Sequence, residues 1–151
     1  MSGSPAVELL IVEDSPSDLE MTLRALKRAK LAHRVEVARD GAEALEFLFA
    51  QGRFSERSIE DVPRVVFLDL KLPKVDGLEV LQRMKADPRT RSIPVVVLTS
   101  SSERKDVVEC YNLGVNSYIV KPVNFERFSE AISQLGTYWL SLNNPSLPDS
   151  S

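Results

Sequence analysis

Four places along the chain carry residue types that together could move a phosphoryl group: the acidic pair Glu13-Asp14, then Asp69, Thr99 and Lys121. Carboxylates gathered at one spot repel one another, so such a set is costly unless a cation or the lysine ammonium offsets the charge. Hard oxygen ligands around a partly hydrated site suit Mg²⁺ or the similar Mn²⁺, ions that keep waters and also bridge a phosphate. Asp14 reads as a direct metal ligand and the longer Glu13 as one acting through water. Asp69 serves as ligand and nucleophile, and the backbone carbonyl of Lys71 completes the set. Phosphoryl transfer asks for in-line positioning and charge neutralisation more than for acid–base chemistry, and Thr99 with Lys121 could stabilise the equatorial oxygens.

These residues share a setting. Short β-branched or leucine-rich runs at Glu8 to Val12, Arg34 to Ala38, Val65 to Leu70, Val95 to Thr99 and Ser117 to Val120 predict five strands. Three are apolar nearly throughout, as in the middle of a parallel sheet covered on both faces. Between them the helical period links Leu19, Leu23 and Leu26, then Ala42, Leu45, Leu48 and Phe49, then Leu78, Leu81 and Met84. Ser15 before Pro16 predicts an N-cap, and Asp40 with Glu43 a capping box. A fourth helix over about Glu103 to Leu113 stops at Gly114, and a fifth begins after Asn124. Alternating strand and helix implies an α/β domain, a doubly wound (βα)5 fold with a five-stranded parallel sheet and its ligand site at the carboxyl ends of the strands. Every candidate residue falls at such an end.

Composition narrows the function classes. The 151 residues are 43% hydrophobic, enough for one core, and the domain is expected over 7–142, with 1–6 and 143–151 as flexible termini. A net charge of −3 argues against a nucleic-acid partner. Cys110 is the only cysteine, so an internal disulfide is excluded and a cytoplasmic setting fits. No apolar run is long enough for a membrane span, and Met1 to Pro5 lacks the build of a secretory signal. Gln51 to Pro63 reads as a long polar loop.

At these residues the sequence resembles the CheY-like (flavodoxin-like) receiver family, from about Val7 to Leu142. Glu13-Asp14 stands at the family's acidic pair, Asp69 at the phosphoacceptor, Thr99 at the switch hydroxyl, Lys121-Pro122 at the lysine–proline step and Tyr118 at the switch aromatic. The stretch Asp-Leu-Lys-Leu-Pro-Lys-Val-Asp-Gly from Asp69, with the long loop before the third strand, is similar to the small regulators that accompany phytochrome-type sensor kinases. The resemblance implies a two-component response regulator phosphorylated by a sensor histidine kinase. In such a protein the hydroxyl swings toward the phosphoryl group, the aromatic follows inward, and the lysine–proline peptide is cis. Glu13 replaces the family's frequent Asp. With no output domain expected after Leu142, the signal would leave by contact with a downstream protein. The helix 4/strand 5/helix 5 face is the expected surface for that, and for a homodimer.

Plainer roles compete for each residue. An acidic pair after a strand often just starts a helix, and a lone lysine often pairs with any nearby carboxylate; joint placement at four strand ends favours a site. Tyr118 taken alone fits packing at the sheet margin as well as a switch. His33 reads as a surface residue and Cys110 as a packing residue. The apolar stripe Phe125, Phe128, Ile132, Leu135, Trp139 and Leu142 is core at its inner end; its outer part, with Tyr138, is expected to cover a partner. An aspartyl phosphohydrolase would need a second carboxylate two residues past Asp69, where Lys71 stands, so an enzyme is not expected. A nucleotide binder would need a glycine-rich turn where Glu13-Asp14-Ser15-Pro16 lies.

Overall fold

A computed structural model describes residues 7–31, 34–121 and 124–143. Five strands form one parallel sheet: β1 (Leu9–Val12), β2 (Val35–Ala38), β3 (Val65–Leu68), β4 (Val95–Thr99) and β5 (Ser117–Val120), in the order β2-β1-β3-β4-β5. The helices are α1 (Pro16–Arg28), α2 (Gly41–Leu48), α3 (Gly77–Ala86), α4 (Arg104–Asn112) and α5 (Phe125–Thr137). Strand order reverses between β1 and β3, and that is where an open parallel sheet leaves a crevice at its carboxyl edge.

The apolar runs explain the layering. β1, β3 and β4 are buried throughout, whereas β2 and β5 at the edges are largely half-buried. Successive side chains alternate between faces. Leu10, Val12, Val66, Leu68, Val95 and Val97 join the core under α2, α3 and α4. Leu9, Ile11, Val65, Phe67, Val96 and Leu98 join the core that holds Leu19 and Leu26 of α1 with Phe128 and Ile132 of α5.

Capping follows the sequence with small shifts. Ser15 accepts from the Asp18 N–H with Pro16 in the first turn, and Asn124 caps α5 through the Arg127 N–H. Asp40 accepts from the Glu43 N–H, but the Glu43 carboxylate reaches back to the Arg39 N–H rather than to that of Asp40, so the capping box closes one residue early. α4 ends at Gly114, whose φ of +92° a glycine adopts without a side-chain penalty.

Three expectations change. Leu23 is 37% exposed, while Thr22 and Ala25 line the buried side of α1. β3 stops at Leu68, so Asp69 lies just past it, although the Asp69 N–H still donates to the Val12 carbonyl and keeps strand register (3.1 Å). The long polar loop, mostly exposed, carries a 3-10 turn over Gly52–Phe54 and is fastened where Phe54 meets Phe47 edge-on and where Arg57 lies over Phe47 while donating to the Phe47 and Asp61 carbonyls. Beyond α5 the chain continues as a π-helical turn over Tyr138–Leu142. Trp139 and Leu140 pack on the α1/α5 core, whereas Tyr138 and Leu142 are exposed. Asn143 donates to Tyr138 and its carbonyl accepts from Arg64, tying this end to the start of β3. Residues 1–6 and 144–151, and His33, lie outside the described residues.

Gly77 links fold to site. A Cβ there would fall 2.3 Å from the Asp69 carbonyl oxygen and 2.6 Å from Leu70 Cα, so α3 starts hard against the backbone that carries Asp69. Gly77→Ala is therefore expected to lower stability by about 2 kcal/mol through overpacking. Urea denaturation followed by circular dichroism measures this, and wild-type stability in the variant would refute the close approach.

Candidate functional site

Glu13, Asp69 and Lys121 follow directly on the carboxyl ends of β1, β3 and β5. Glu13 follows β1, and its N–H continues the ladder to Ala38 (3.0 Å). Its carboxylate is buried, accepting from the Ser15 N–H at 3.2 Å and from Lys121 Nζ at 2.6 Å. Asp14, next along, is exposed. Asp69 is buried past β3, with Oδ1 accepting from the Lys71 N–H (3.3 Å) and Oδ2 from Lys121 Nζ (3.0 Å). Oxygens from Glu13, Asp14 and Asp69 lie within 4.8 Å of one another.

Lys121 follows edge strand β5 and is fixed through its N–H to the Thr99 carbonyl (2.8 Å). Its side chain, only 10% exposed, spends its ammonium on Glu13, on Asp69 and on a third carboxylate, Asp18 (2.9 Å), in the first turn of α1. Asp18 is absent from the sequence-based set. The available signal was its place three residues after the Ser15 cap, which aims it at the crevice.

Thr99 is fully buried at the end of β4, its hydroxyl accepting from the Ser101 N–H (3.3 Å). Tyr118 is half-buried on β5, packs against the α2/α3/α4 core and donates to the Ser101 carbonyl (2.8 Å). Ser101, also outside the sequence-based set, thus holds both residues, and its own hydroxyl donates to Asp106 (2.5 Å). Pro122 lies outside the described residues, as does the peptide that joins it to Lys121.

Charge governs this crevice. Burial pushes the Glu13 carboxyl up to about 7; the Lys121 hydrogen bond opposes this and the Asp69 charge adds to it. Burial alone would lower the Lys121 ammonium, but the hydrogen bonds it donates to Glu13 and Asp18 and the charges of Asp69 and Glu13 outweigh it, so the ammonium holds its proton above the usual lysine range. Burial also raises the Tyr118 phenol. One ammonium among Glu13, Asp14, Asp18 and Asp69 leaves negative charge in excess. Clustered carboxylate oxygens of this kind are the donor set of a hard divalent cation.

The response regulator receiver domain model matches residues 9–133, and the chain belongs to that family. Among curated relatives it is 42% identical to the probable methanogenesis regulatory protein FilR2 of Methanothrix harundinacea over 135 residues (89% of this chain, 84% of the relative). It is 37% identical to the response regulator Rcp1 of Synechocystis over 138 residues (91% and 92%). Among solved structures, Mn²⁺-bound Rcp1 superposes with a TM-score of 0.84 (37% identity, 96% of this chain, 100% of the other). The phosphorylated cyanobacterial phytochrome response regulator RcpA does so with 0.84 (36%, 96%, 100%). The bacteriophytochrome response regulator RtBRR gives 0.75 at 54% identity (94%, 85%). The fold is the CheY-like receiver fold, and the chain is a phosphoacceptor response regulator of two-component signalling, working between a kinase and a downstream target.

The Glu13 shift sets a pH dependence. The folded chain holds this proton more tightly than the unfolded one, so Glu13 contributes stability below its ordinary value of 4.5 and loses it as pH rises through about 7. Without divalent metal, wild type should lose stability relative to Glu13→Gln between pH 5 and 7.5, by at most about 1.4 kcal/mol per pH unit. Saturating Mg²⁺ should remove much of the difference. Urea midpoints across this range test it; parallel profiles for the two proteins would rule it out.

Proposed function

We propose that Asp69 is the residue phosphorylated, that the donor is a sensor histidine kinase of the phytochrome type, and that the receiver domain spans 7–142. The observation that carries this reading is the Lys121 ammonium bonded to Asp69 inside a three-carboxylate cluster at the point where strand order reverses. The likeness to RcpA and RtBRR supports the phytochrome-type partner.

The metal is Mg²⁺ or Mn²⁺, held by Glu13, Asp14, Asp69 and the Lys71 backbone carbonyl, and it would supply charge neutralisation for phosphoryl oxygens. An Asp69 carboxylate oxygen attacks the phosphorus, the bond from phosphorus to the kinase histidine nitrogen breaks, and the electron pair returns to the imidazole. Lys121 then offers Asp69's former hydrogen bond to a phosphoryl oxygen. Thr99 exchanges the Ser101 N–H for the phosphoryl group, and because Tyr118 is bonded to the same Ser101, its position responds.

Output by surface contact follows, with a downstream protein and a second copy of the chain as partners through the α4/β5/α5 face. Exposed Val108 and Tyr111 on α4, Val120 on β5 and Tyr138 past α5 support that surface. The dimer, a cytoplasmic location, the lack of enzymatic turnover and the lack of nucleic-acid binding belong to the same reading. Net charge of −3, free Cys110 and Lys71 at the place of a second catalytic carboxylate favour it, and among the described residues no helix is long and apolar enough to cross a membrane.

Wild type and Asp69→Asn, treated with acetyl phosphate or beryllium trifluoride with and without Mg²⁺, should differ in intact mass or fluoride binding. An adduct is expected only in wild type and only with Mg²⁺; none under any condition would instead support a silent adaptor. Light scattering on the same samples should report a dimer that Val120→Asp dissociates, and a monomer throughout would remove the dimer from the proposal.

A further inference from the structure

Lys121 has a long way to reach. In the order β1-β3-β4-β5, three strand spacings separate β5 from β1, roughly 14 Å at about 4.8 Å each. The ammonium nevertheless meets Glu13 at the end of β1. A flexible four-carbon stem extended this far loses much rotamer freedom and needs partners at its far end. It has three, one for each N–H of the ammonium: Glu13, Asp18 and Asp69.

Two of these partners change when the site works. On the reading that Asp69 accepts the phosphoryl group, Asp69 loses its carboxylate charge to an acyl phosphate, and Glu13 belongs to the oxygen cluster that fits the metal. Asp18 stands outside that cluster. Its backbone is fixed independently of the ligands, with its N–H donating to Ser15 Oγ at 3.3 Å and its carbonyl accepting from the buried Thr22 hydroxyl at 3.0 Å, in the same first turn as Pro16. Asp18 is therefore the partner of Lys121 that keeps its charge and place as the other two are modified or drawn to the metal.

We propose that Asp18 is a positioning residue for the phosphorylation reaction, holding the Lys121 ammonium over Asp69 from the α1 side. The competing role is a local one: a carboxylate in the first turn favours any helix through its N-terminal dipole, with no bearing on Lys121. The two roles separate in a double-mutant cycle, because an effect that acts through Lys121 vanishes when Lys121 is absent, whereas a helix effect persists.

Asp18→Asn keeps an acceptor at the helix start and removes the charge. With acetyl phosphate and saturating Mg²⁺, its rate of Asp69 phosphorylation should fall about tenfold, in line with losing a partly exposed charge-assisted hydrogen bond. In a Lys121→Ala background, the same substitution should produce no further fall. An equal loss in both backgrounds, or no loss with Lys121 present, overturns the proposal. Should Lys121→Ala react too slowly to follow, the Lys121 ammonium resonance decides: protected from solvent exchange in wild type and lost to exchange in Asp18→Asn, with an unchanged signal counting against the role. Wild type that takes no phosphoryl group on Asp69 defeats the functional reading and this inference together. Phosphorylated wild type with additive variants defeats this inference alone.

Discussion

An excess of negative charge around one crevice is the constraint on which the rest of this molecule turns. Glu13, Asp14, Asp18 and Asp69 share a crevice with one ammonium, and only a rigid frame keeps them from moving apart. The frame consists of three short, wholly buried strands whose backbones are locked by neighbours on both sides. Sheet order supplies the gap, the Ser15 cap sets the first turn of α1, and Gly77 lets α3 press against the Asp69 backbone. The Glu13 carboxyl is raised chiefly by burial with the Asp69 charge adding to it, and the Lys121 ammonium is held by its carboxylate partners. A divalent cation would offset the surplus further and would also serve phosphoryl chemistry.

Ser101 forms a second centre, quieter electrically. Thr99 and Tyr118 do not touch through their own hydrogen bonds; both bind the backbone of Ser101, one at its N–H and one at its carbonyl. The Ser101 hydroxyl then reaches Asp106 in the first turn of α4. The end of β4 is thereby bonded both to the edge strand and to the helix beside it, through discrete partners.

The fold and most of the site were legible because they depend on local chemistry. An apolar run followed at once by a charged residue marks a strand end in a buried sheet, and Glu13, Asp69 and Lys121 all carry that mark. The central position of β1, β3 and β4 followed from runs with no polar face. What escaped is non-local. Asp18 meets Lys121 across 103 positions of sequence, and its place in the first turn of α1 points to the crevice without naming the cation it will face there. Ser101 acts through its backbone, which any residue carries. On α1, Leu23 has the right period but falls at the margin of the buried stripe, and the smaller Thr22 and Ala25 take the contact with the core. Arg57 falls in the stretch that reads as a polar loop; stacked on Phe47 and bonded to two carbonyls, it fastens that loop.

Val120 and Lys121 are joined by a single peptide unit at the end of the edge strand, the first exposed to solvent and the second turned into the crevice. Any partner that grips Val120 and discriminates between two settings of Lys121 is subject to thermodynamic reciprocity: the factor by which a ligand in the crevice alters the partner's affinity is the factor by which the partner alters the ligand's. For such a partner the coupling would run both ways along this edge, and a protein bound to the outer surface would hold a vote on what the inner one retains.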